Sequence, residues 1–86
     1  MWRVVFTKQA RKDAKKISSA GLRQKTEALL YILRENPYRT PPPFEKLIGD
    51  LAGAYSRRIN IQHRLVYPIA DKANVVKILG MRTHFE

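Results

Sequence analysis

The chain has 86 residues and no cysteine, and its 17 Lys and Arg outnumber 7 Asp and Glu, for a formal net charge of +10. This length predicts one domain, residues 1–86, and the absence of cysteine excludes disulfides and thiolate metal sites. No apolar run approaches the ~18 residues of a membrane span, and no signal-peptide core follows Met1, so we expect a cytoplasmic protein with no membrane partner. The charge excess favours nucleic acid or an acidic protein as partner.

The first half of the chain predicts a strand followed by two helices. Residues 2–6 are rich in β-branched and aromatic side chains, which is typical of a strand. Thr7 can cap the next helix, and Gly21 predicts a tight turn after it. A second helix is expected from about Leu22 to Glu35. The predicted buried stripes are Phe6, Ala10, Ala14 and Ile17 in the first helix, and Leu22, Thr26, Leu29, Leu30 and Leu33 in the second.

A proline-rich segment and three strands follow. Residues 37–46 contain four prolines and are expected to form a stiff, extended loop that holds Glu45. Strands are predicted over residues 54–61, 63–70 and 75–83, separated by turn-forming residues. The order β-α-α-β-β-β predicts an α+β fold, in which two N-terminal helices pack on one face of a mostly antiparallel four-stranded sheet.

Strand parity predicts which side chains face the helices, because successive side chains point to opposite faces of a sheet. Odd positions are expected on the core face: Tyr55, Ile59, Leu65, Tyr67, Ile69, Val75, Leu79 and Met81. Even positions are expected on the open face: Ser56, Arg58, Arg64, Val66, Val76, Ile78, Arg82 and His84. The open face would then be an apolar floor under a basic rim, which suits a groove for a base or a peptide.

The basic rim depends on strand register. If Arg58 pairs with Arg64 across the first turn, the two guanidinium groups lie side by side. Arg82 and His84 join them only if the turn after Ala70 has five residues or if that part of the sheet contains a bulge.

These residue types can cleave RNA through its own 2′-hydroxyl without a metal. The reaction needs a base, an acid, and cations that stabilise the charged phosphorane. Glu45 is a candidate base, and His84 is a candidate acid because histidine changes charge near neutral pH. Arg58 and Arg64 are candidate phosphate clamps, since a guanidinium can meet two phosphate oxygens at once. Further candidates for the clamp are Lys46, Arg57 and Arg82.

Each assignment has a structural alternative. Glu45 can simply cap a loop, His84 near a terminus can be incidental, and arginines on a strand are often solvated. His63 is expected to be structural, on the core side. Scattered carboxylates disfavour a metal nuclease, and the chain has neither a glycine-rich phosphate loop nor a serine or cysteine nucleophile motif. We therefore expect no metal and no cofactor.

Five segments occur in order between residues 43 and 85, namely Pro43-Phe44-Glu45-Lys46-Leu47, Gly49 to Gly53, Tyr55-Ser56-Arg57-Arg58-Ile59, His63-Arg64-Leu65-Val66-Tyr67 and Arg82-Thr83-His84-Phe85. Their order and spacing resemble those of the YoeB-type toxins in the RelE/ParE superfamily of bacterial toxin–antitoxin proteins. The resemblance implies the same β-α-α-β-β-β fold and a metal-independent endoribonuclease that cleaves mRNA in the ribosomal A site. It also implies that Glu45 is the general base, Arg64 the phosphate-stabilising arginine and His84 the general acid.

The resemblance further implies partners. An acidic antitoxin is expected to wrap the toxin and cover or distort the site, and operator DNA is expected to be bound only through that complex. A homodimer is compatible with the sequence. A basic cluster on the first helix is either a site for rRNA phosphates or a solvated helix face. It consists of Lys8, Arg11, Lys12, Lys15 and Lys16.

The chain end departs from the family pattern. Phe85 stands where the family has tyrosine, so ring stacking on a base is retained while the phenolic hydroxyl is lost. Glu86 adds a carboxylate beyond the site. Two other functions stay open: a gyrase-directed toxin of the ParE branch, against which the Glu45, Arg64 and His84 set argues, and a noncatalytic homologue that binds only its antitoxin and operator DNA.

Overall fold

The computed structural model describes residues 1–82, with Arg82 described by its backbone only. Along the chain these residues form β1 (Arg3–Phe6), α1 (Lys8–Ser19), α2 (Arg23–Glu35), β2 (Glu45–Lys46), β3 (Ala54–Arg58), β4 (Arg64–Ala70), β5 (Val75–Ile78) and β6 (Gly80–Arg82). Short 3-10 turns at Gly49–Leu51 and Asp71–Ala73 lead into β3 and β5. The predicted α+β fold, two helices with a mostly antiparallel sheet, is confirmed.

The strands form one sheet in the order β1-β5-β4-β3-β2, and β6 also pairs with β4. The pairing of β1 with β5 is parallel, and the other pairings within residues 1–82 are antiparallel. The sheet has more strands than the four predicted. One addition is β2, formed by Glu45 and Lys46, and the other arises because the last predicted strand is divided into β5 and β6.

Both helices begin and end where local sequence signals place them. Thr7 caps α1 by accepting the N–H of Ala10 at 3.0 Å, and its hydroxyl donates to the carbonyl of Leu79 at 3.0 Å. Gly21 has a φ of 78°, which permits the tight turn between the helices. The second helix ends just before Pro37, as expected from the geometry of residues that precede proline. Neither of the two helices in residues 1–82 has the length and apolarity that crossing a bilayer requires.

The core lies between the helices and one face of the sheet. Its buried members are Ala10, Ile17, Leu29, Leu30, Leu33, Ile59, Leu65, Tyr67, Val76, Ile78 and Met81, with Phe6, Ala14 and Leu22 packed against them. The buried stripes predicted for both helices are therefore confirmed. Thr26, inside the stripe of α2, is also buried and donates its hydroxyl proton to the backbone carbonyl of Leu22 at 2.9 Å.

The predicted face assignment is wrong for the last strand before residue 80. Val76 and Ile78 are fully buried in the core, whereas Val75 and Leu79 are only half-buried. The cause is a bulge at Leu79, because β4 pairs with β5 and with β6 in registers that differ by one residue. One extra residue reverses the face of every residue on one side of it. Parity holds again after the bulge, where Met81 is buried.

Candidate active site

Arginines occupy neighbouring positions on three adjacent strands, and we call Arg58, Arg64 and Arg82 the arginine row. Arg58 of β3 pairs with Arg64 of β4, which in turn pairs with Arg82 of β6. The sequence predicted the first pair, and for the second it required either a five-residue turn or a bulge, of which the structure has the bulge. Arg58 is exposed, and 24% of the Arg64 side chain is exposed. Arg58 and Arg64 therefore concentrate positive charge at one end of the open face of the sheet.

Glu45 lies on a strand and not in the loop that the sequence predicted. It is paired with Ser56 of β3, so its side chain emerges on the face that carries Arg58 and Arg64. The Arg64 guanidinium reaches across β3 and donates from Nη1 to Oε1 of Glu45 at 2.7 Å. This is the short distance of a charge-assisted hydrogen bond. The Glu45 side chain nevertheless remains 66% exposed, so its carboxylate is accessible to a ligand.

Small side chains form the floor next to this ion pair. Ser56, Val66 and Gly80 are paired in register across β3, β4 and β6, and all three are buried. Of the three apolar residues predicted for this floor only Val66 remains. The bulge turns the other two, Val76 and Ile78, into the core. The Ser56 hydroxyl is buried and has no hydrogen-bond partner within residues 1–82.

A cleft of about 290 Å³ opens beside Glu45. It is lined by Pro42, Pro43, Glu45, Ser56 and Arg58. Strand parity predicted Ser56 on the open face but indicated no functional role for it, and the prolines were expected only to stiffen the loop. The available signal was the even parity of Ser56 beside Arg58. The walls contributed by the prolines depend on how the loop folds back, and strand parity carries no information about that.

The structure contradicts the prediction that Arg57 widens the phosphate clamp. Arg57 is only 1% exposed and projects into the interior of the protein. Its guanidinium donates four hydrogen bonds of 2.6 to 2.9 Å, and it lies 5.0 Å from the centroid of the Phe44 ring. The acceptors are the Tyr67 hydroxyl and the carbonyls of Pro37, Arg39 and Pro42. A guanidinium enclosed in this way cannot contact a phosphate.

The other predicted site residues are placed as follows. Lys46 is exposed but pairs with Tyr55, so it points to the face opposite Glu45 and is not brought together with the arginine row. His84 and Phe85 lie outside the described residues, and so does the side chain of Arg82. Within residues 1–82, no three His, Asp or Glu side chains are close enough to hold a metal ion.

The fold and this surface define a small α+β protein of the RelE/YoeB type, with an acid and arginines on the open face of its sheet. A family description, "YoeB-like toxin of bacterial type II toxin-antitoxin system", matches residues 6–85 of the chain. The chain therefore belongs to the YoeB-like toxins of bacterial type II toxin–antitoxin systems.

Individual relatives agree with this assignment. The toxin YoeB of Synechocystis sp. is 35% identical over 65 residues, which are 76% of this chain and 73% of that protein. The YoeB/ParE toxin from Agrobacterium tumefaciens has a TM-score of 0.85 at 27% identity, covering 96% of this chain and 99% of that one. In its heterotetrameric complex with YefM, the YoeB of Staphylococcus aureus has a TM-score of 0.79 at 34% identity over 99% of both chains, and it has also been solved as a dimer.

Proposed function

We propose that this toxin is a metal-independent endoribonuclease that cleaves mRNA on the ribosome and thereby inhibits translation. The observation that carries the proposal is the 2.7 Å contact between Glu45 and Arg64. These residues are 19 positions apart in the chain, and the sequence nominated both for the same reaction. Membership of the YoeB-like family supports the same conclusion.

In the proposed reaction Glu45 accepts the proton of the RNA 2′-hydroxyl. The 2′-oxygen attacks phosphorus, the bond to the 5′-oxygen breaks, and His84 donates a proton to the departing 5′-oxygen. Arg64 stabilises the charge that develops on the phosphorane oxygens. Because its guanidinium is already within hydrogen-bond distance of Glu45, a phosphate bound by Arg64 would lie next to the base. The products are a 2′,3′-cyclic phosphate and a 5′-hydroxyl.

We propose that the flanking RNA is bound along the arginine row and the adjacent cleft. Arg58 lines that cleft together with Glu45 and is exposed to solvent. Arg82 holds the third position of the row by its backbone pairing, and Phe85 is proposed to stack on a base. Arg57 is excluded by its burial, and Lys46 by its direction.

The proposed partners follow from charge and from the relatives. The exposed cations of α1 are proposed to contact rRNA phosphates. An acidic antitoxin is proposed to cover the site, since the Staphylococcus aureus relative was solved in complex with YefM. By the same comparison we propose a homodimer, and operator DNA bound through the antitoxin complex. A ribosomal target would place the single toxin domain in the cytoplasm.

Induction of the toxin without its antitoxin tests the proposed function in cells. We expect growth arrest and mRNA cut at ribosome-bound codons. Growth arrest with intact mRNA would contradict the enzymatic proposal. Arrest with DNA-damage signalling would favour the gyrase-directed alternative, and harmless overexpression would favour the noncatalytic homologue.

Single-turnover cleavage on mRNA-programmed ribosomes tests the residues. Glu45→Gln and His84→Gln are each expected to slow cleavage by at least about a hundredfold, the usual scale for losing a general base or acid. Glu35→Gln is the matched control, because Glu35 is an exposed acid at the end of α2. It is expected to stay within about twofold of the parent rate. Losses below about threefold for both site variants would remove the mechanism.

A further inference from the structure

The segment that precedes Glu45 is not stabilised by the hydrogen bonds of a helix or strand of its own. We call residues 36–44 the proline loop; it joins α2 to β2 and contains no helix or strand. Four of its residues are prolines, which have no N–H and cannot donate to a backbone ladder. Beyond the loop, β2 itself has only two paired residues. We therefore expect the position of Glu45 to depend also on what holds the proline loop.

Arg57 binds the proline loop at three points. Its Nη1 donates to the carbonyl of Pro42 at 2.6 Å, and its Nη2 donates to the carbonyls of Pro37 at 2.9 Å and Arg39 at 2.8 Å. These acceptors span the loop from its beginning to the residue three positions before Glu45. Since Arg57 belongs to β3, the strand that pairs with β2, the loop and the strand are fixed to the same frame.

Two rings complete the surroundings of the guanidinium. Nε donates to the hydroxyl of Tyr67 at 2.8 Å. The pKa of Tyr67 is raised, mainly by burial, and the neighbouring Arg57 offsets only part of the rise. The centroid of the Phe44 ring lies 5.0 Å from the guanidinium carbon. Phe44 directly precedes Glu45 in the chain. Within residues 1–82 no carboxylate pairs with Arg57. A buried cation without an anion is costly unless its donors are satisfied. The four hydrogen bonds of the Arg57 guanidinium satisfy its donors, so losing any one of them would be costly.

We propose that Arg57 is a positioning residue, which anchors the proline loop to β3 and β4 and so sets where Glu45 stands relative to Arg64. The proposal rests on the proposed role of Glu45 as general base. Proton transfer tolerates only small errors in the placement of the base. Lysine cannot replace Arg57, because a compact ammonium with three donors does not reach acceptors spread around a planar guanidinium.

The first test separates positioning from binding. In Arg57→Lys, the single-turnover rate at saturating ribosomes is expected to fall at least about tenfold, with half-saturation unchanged within about threefold. Rates are expressed per folded molecule, so a loss of folded protein alone does not lower them. Arg34→Lys is the matched control, an exposed arginine on α2, and is expected to change neither quantity. An unchanged rate in Arg57→Lys would overturn the proposal.

Hydrogen exchange tests the anchoring without reference to cleavage. In Arg57→Lys, the amides of residues 38–40 and 44–47 are expected to exchange at least about tenfold faster, with those of α1 unchanged. If Arg57→Lys does not fold, Tyr67→Phe removes one acceptor only and is expected to show the same local increase at smaller size. Unchanged exchange in the folded variant would overturn the anchoring. If the parent protein fails to cleave mRNA, the proposed function is refuted. If the parent cleaves mRNA and Arg57→Lys cleaves it at the same rate, only the positioning role of Arg57 is refuted.

Discussion

The hydrogen bond from Arg64 to Glu45 combines a short contact with high solvent exposure of the carboxylate. The two atoms are 2.7 Å apart, yet the Glu45 side chain is 66% exposed. Because water screens the exposed carboxylate and ordering the two side chains costs entropy, we expect the pair to contribute about 0–1 kcal/mol to stability. The main consequence of the pair is therefore geometric: a cation is held beside a solvent-accessible carboxylate.

A double-mutant cycle measures whether the two residues act together. Glu45→Gln and Arg64→Lys are each expected to slow cleavage by about a hundredfold or more, and the double variant is expected to be no slower than the slower single variant. The free energy of unfolding is expected to change by about 1 kcal/mol or less in each. Rate losses that multiply in the double variant would show that Glu45 and Arg64 act independently.

Ser56 leads to a prediction about stability. Its hydroxyl is buried without a hydrogen-bond partner within residues 1–82, and such a group costs about 1–3 kcal/mol. Ser56→Ala is therefore expected to leave the free energy of unfolding unchanged or to raise it by about 1 kcal/mol. Denaturant unfolding measures this, with Ser19→Ala at the exposed end of α1 as the control. Destabilisation by Ser56→Ala would mean that the hydroxyl is satisfied after all.

At this scale the sequence was sufficient for Arg58 and Arg64, because strand parity and a short turn determine their pairing. It was misleading for Arg57, since tandem arginines in a motif look equivalent. The one signal that separates the two is strand parity, which assigns Arg57 to the core face and Arg58 to the open face. Three of the four acceptors of Arg57 are loop carbonyls up to 20 residues away, and a backbone carbonyl has no side-chain signature that a sequence can reveal.

The helices were predictable because their signals are local. A capping threonine, apolar residues at three- and four-residue spacing and a glycine at the turn are all visible within a few residues of each helix. The bulge at Leu79 was not predictable in this way. It exists because β4 accepts β5 in one register and β6 in another, and that choice is made between segments distant in the chain.

Thr7 connects these two kinds of element, and its role can be measured. Its hydroxyl caps α1 and donates to the carbonyl of Leu79, while its N–H donates to the carbonyl of Ile78 at 3.1 Å. Thr7→Ala is expected to lower the free energy of unfolding by about 2 kcal/mol, because it removes both the cap and a hydrogen bond. Thr7→Ser retains the hydroxyl and is expected to lose about 0.5 kcal/mol or less. Equal losses in the two variants would contradict this role.

For the whole molecule, charge is the dominant surface property. The chain carries a net charge of +10, and every Lys and Arg of α1 is exposed. The acid of that helix, Asp13, is half-buried, and its carboxylate accepts the N–H of Met81 at 3.0 Å. Because this acid is turned toward β6, the outer face of α1 carries positive charge that no acid of the helix offsets.

Salt dependence tests whether this face binds RNA. Binding to ribosomes is expected to weaken steeply with salt. The double variant Lys12→Gln with Lys15→Gln is expected to reduce the slope of log K against log salt by roughly one for each phosphate that is no longer neutralised. Lys72→Gln with Lys77→Gln removes the same charge from exposed positions outside α1 and is expected to leave most of the slope. Equal reductions by the two pairs would show that net charge acts without a defined docking face.

The parallel pairing of β1 with β5 limits when the toxin can fold. Arg3 is in register with Val75, and Phe6 with Ile78, so β1 finds its neighbour only after all the intervening elements have been synthesised. A growing chain cannot close this sheet while residues 75–78 are still inside the exit tunnel. The sheet is therefore completed only after β5 has left the tunnel, and the ribosome that makes the toxin is not exposed to a folded copy of it until then.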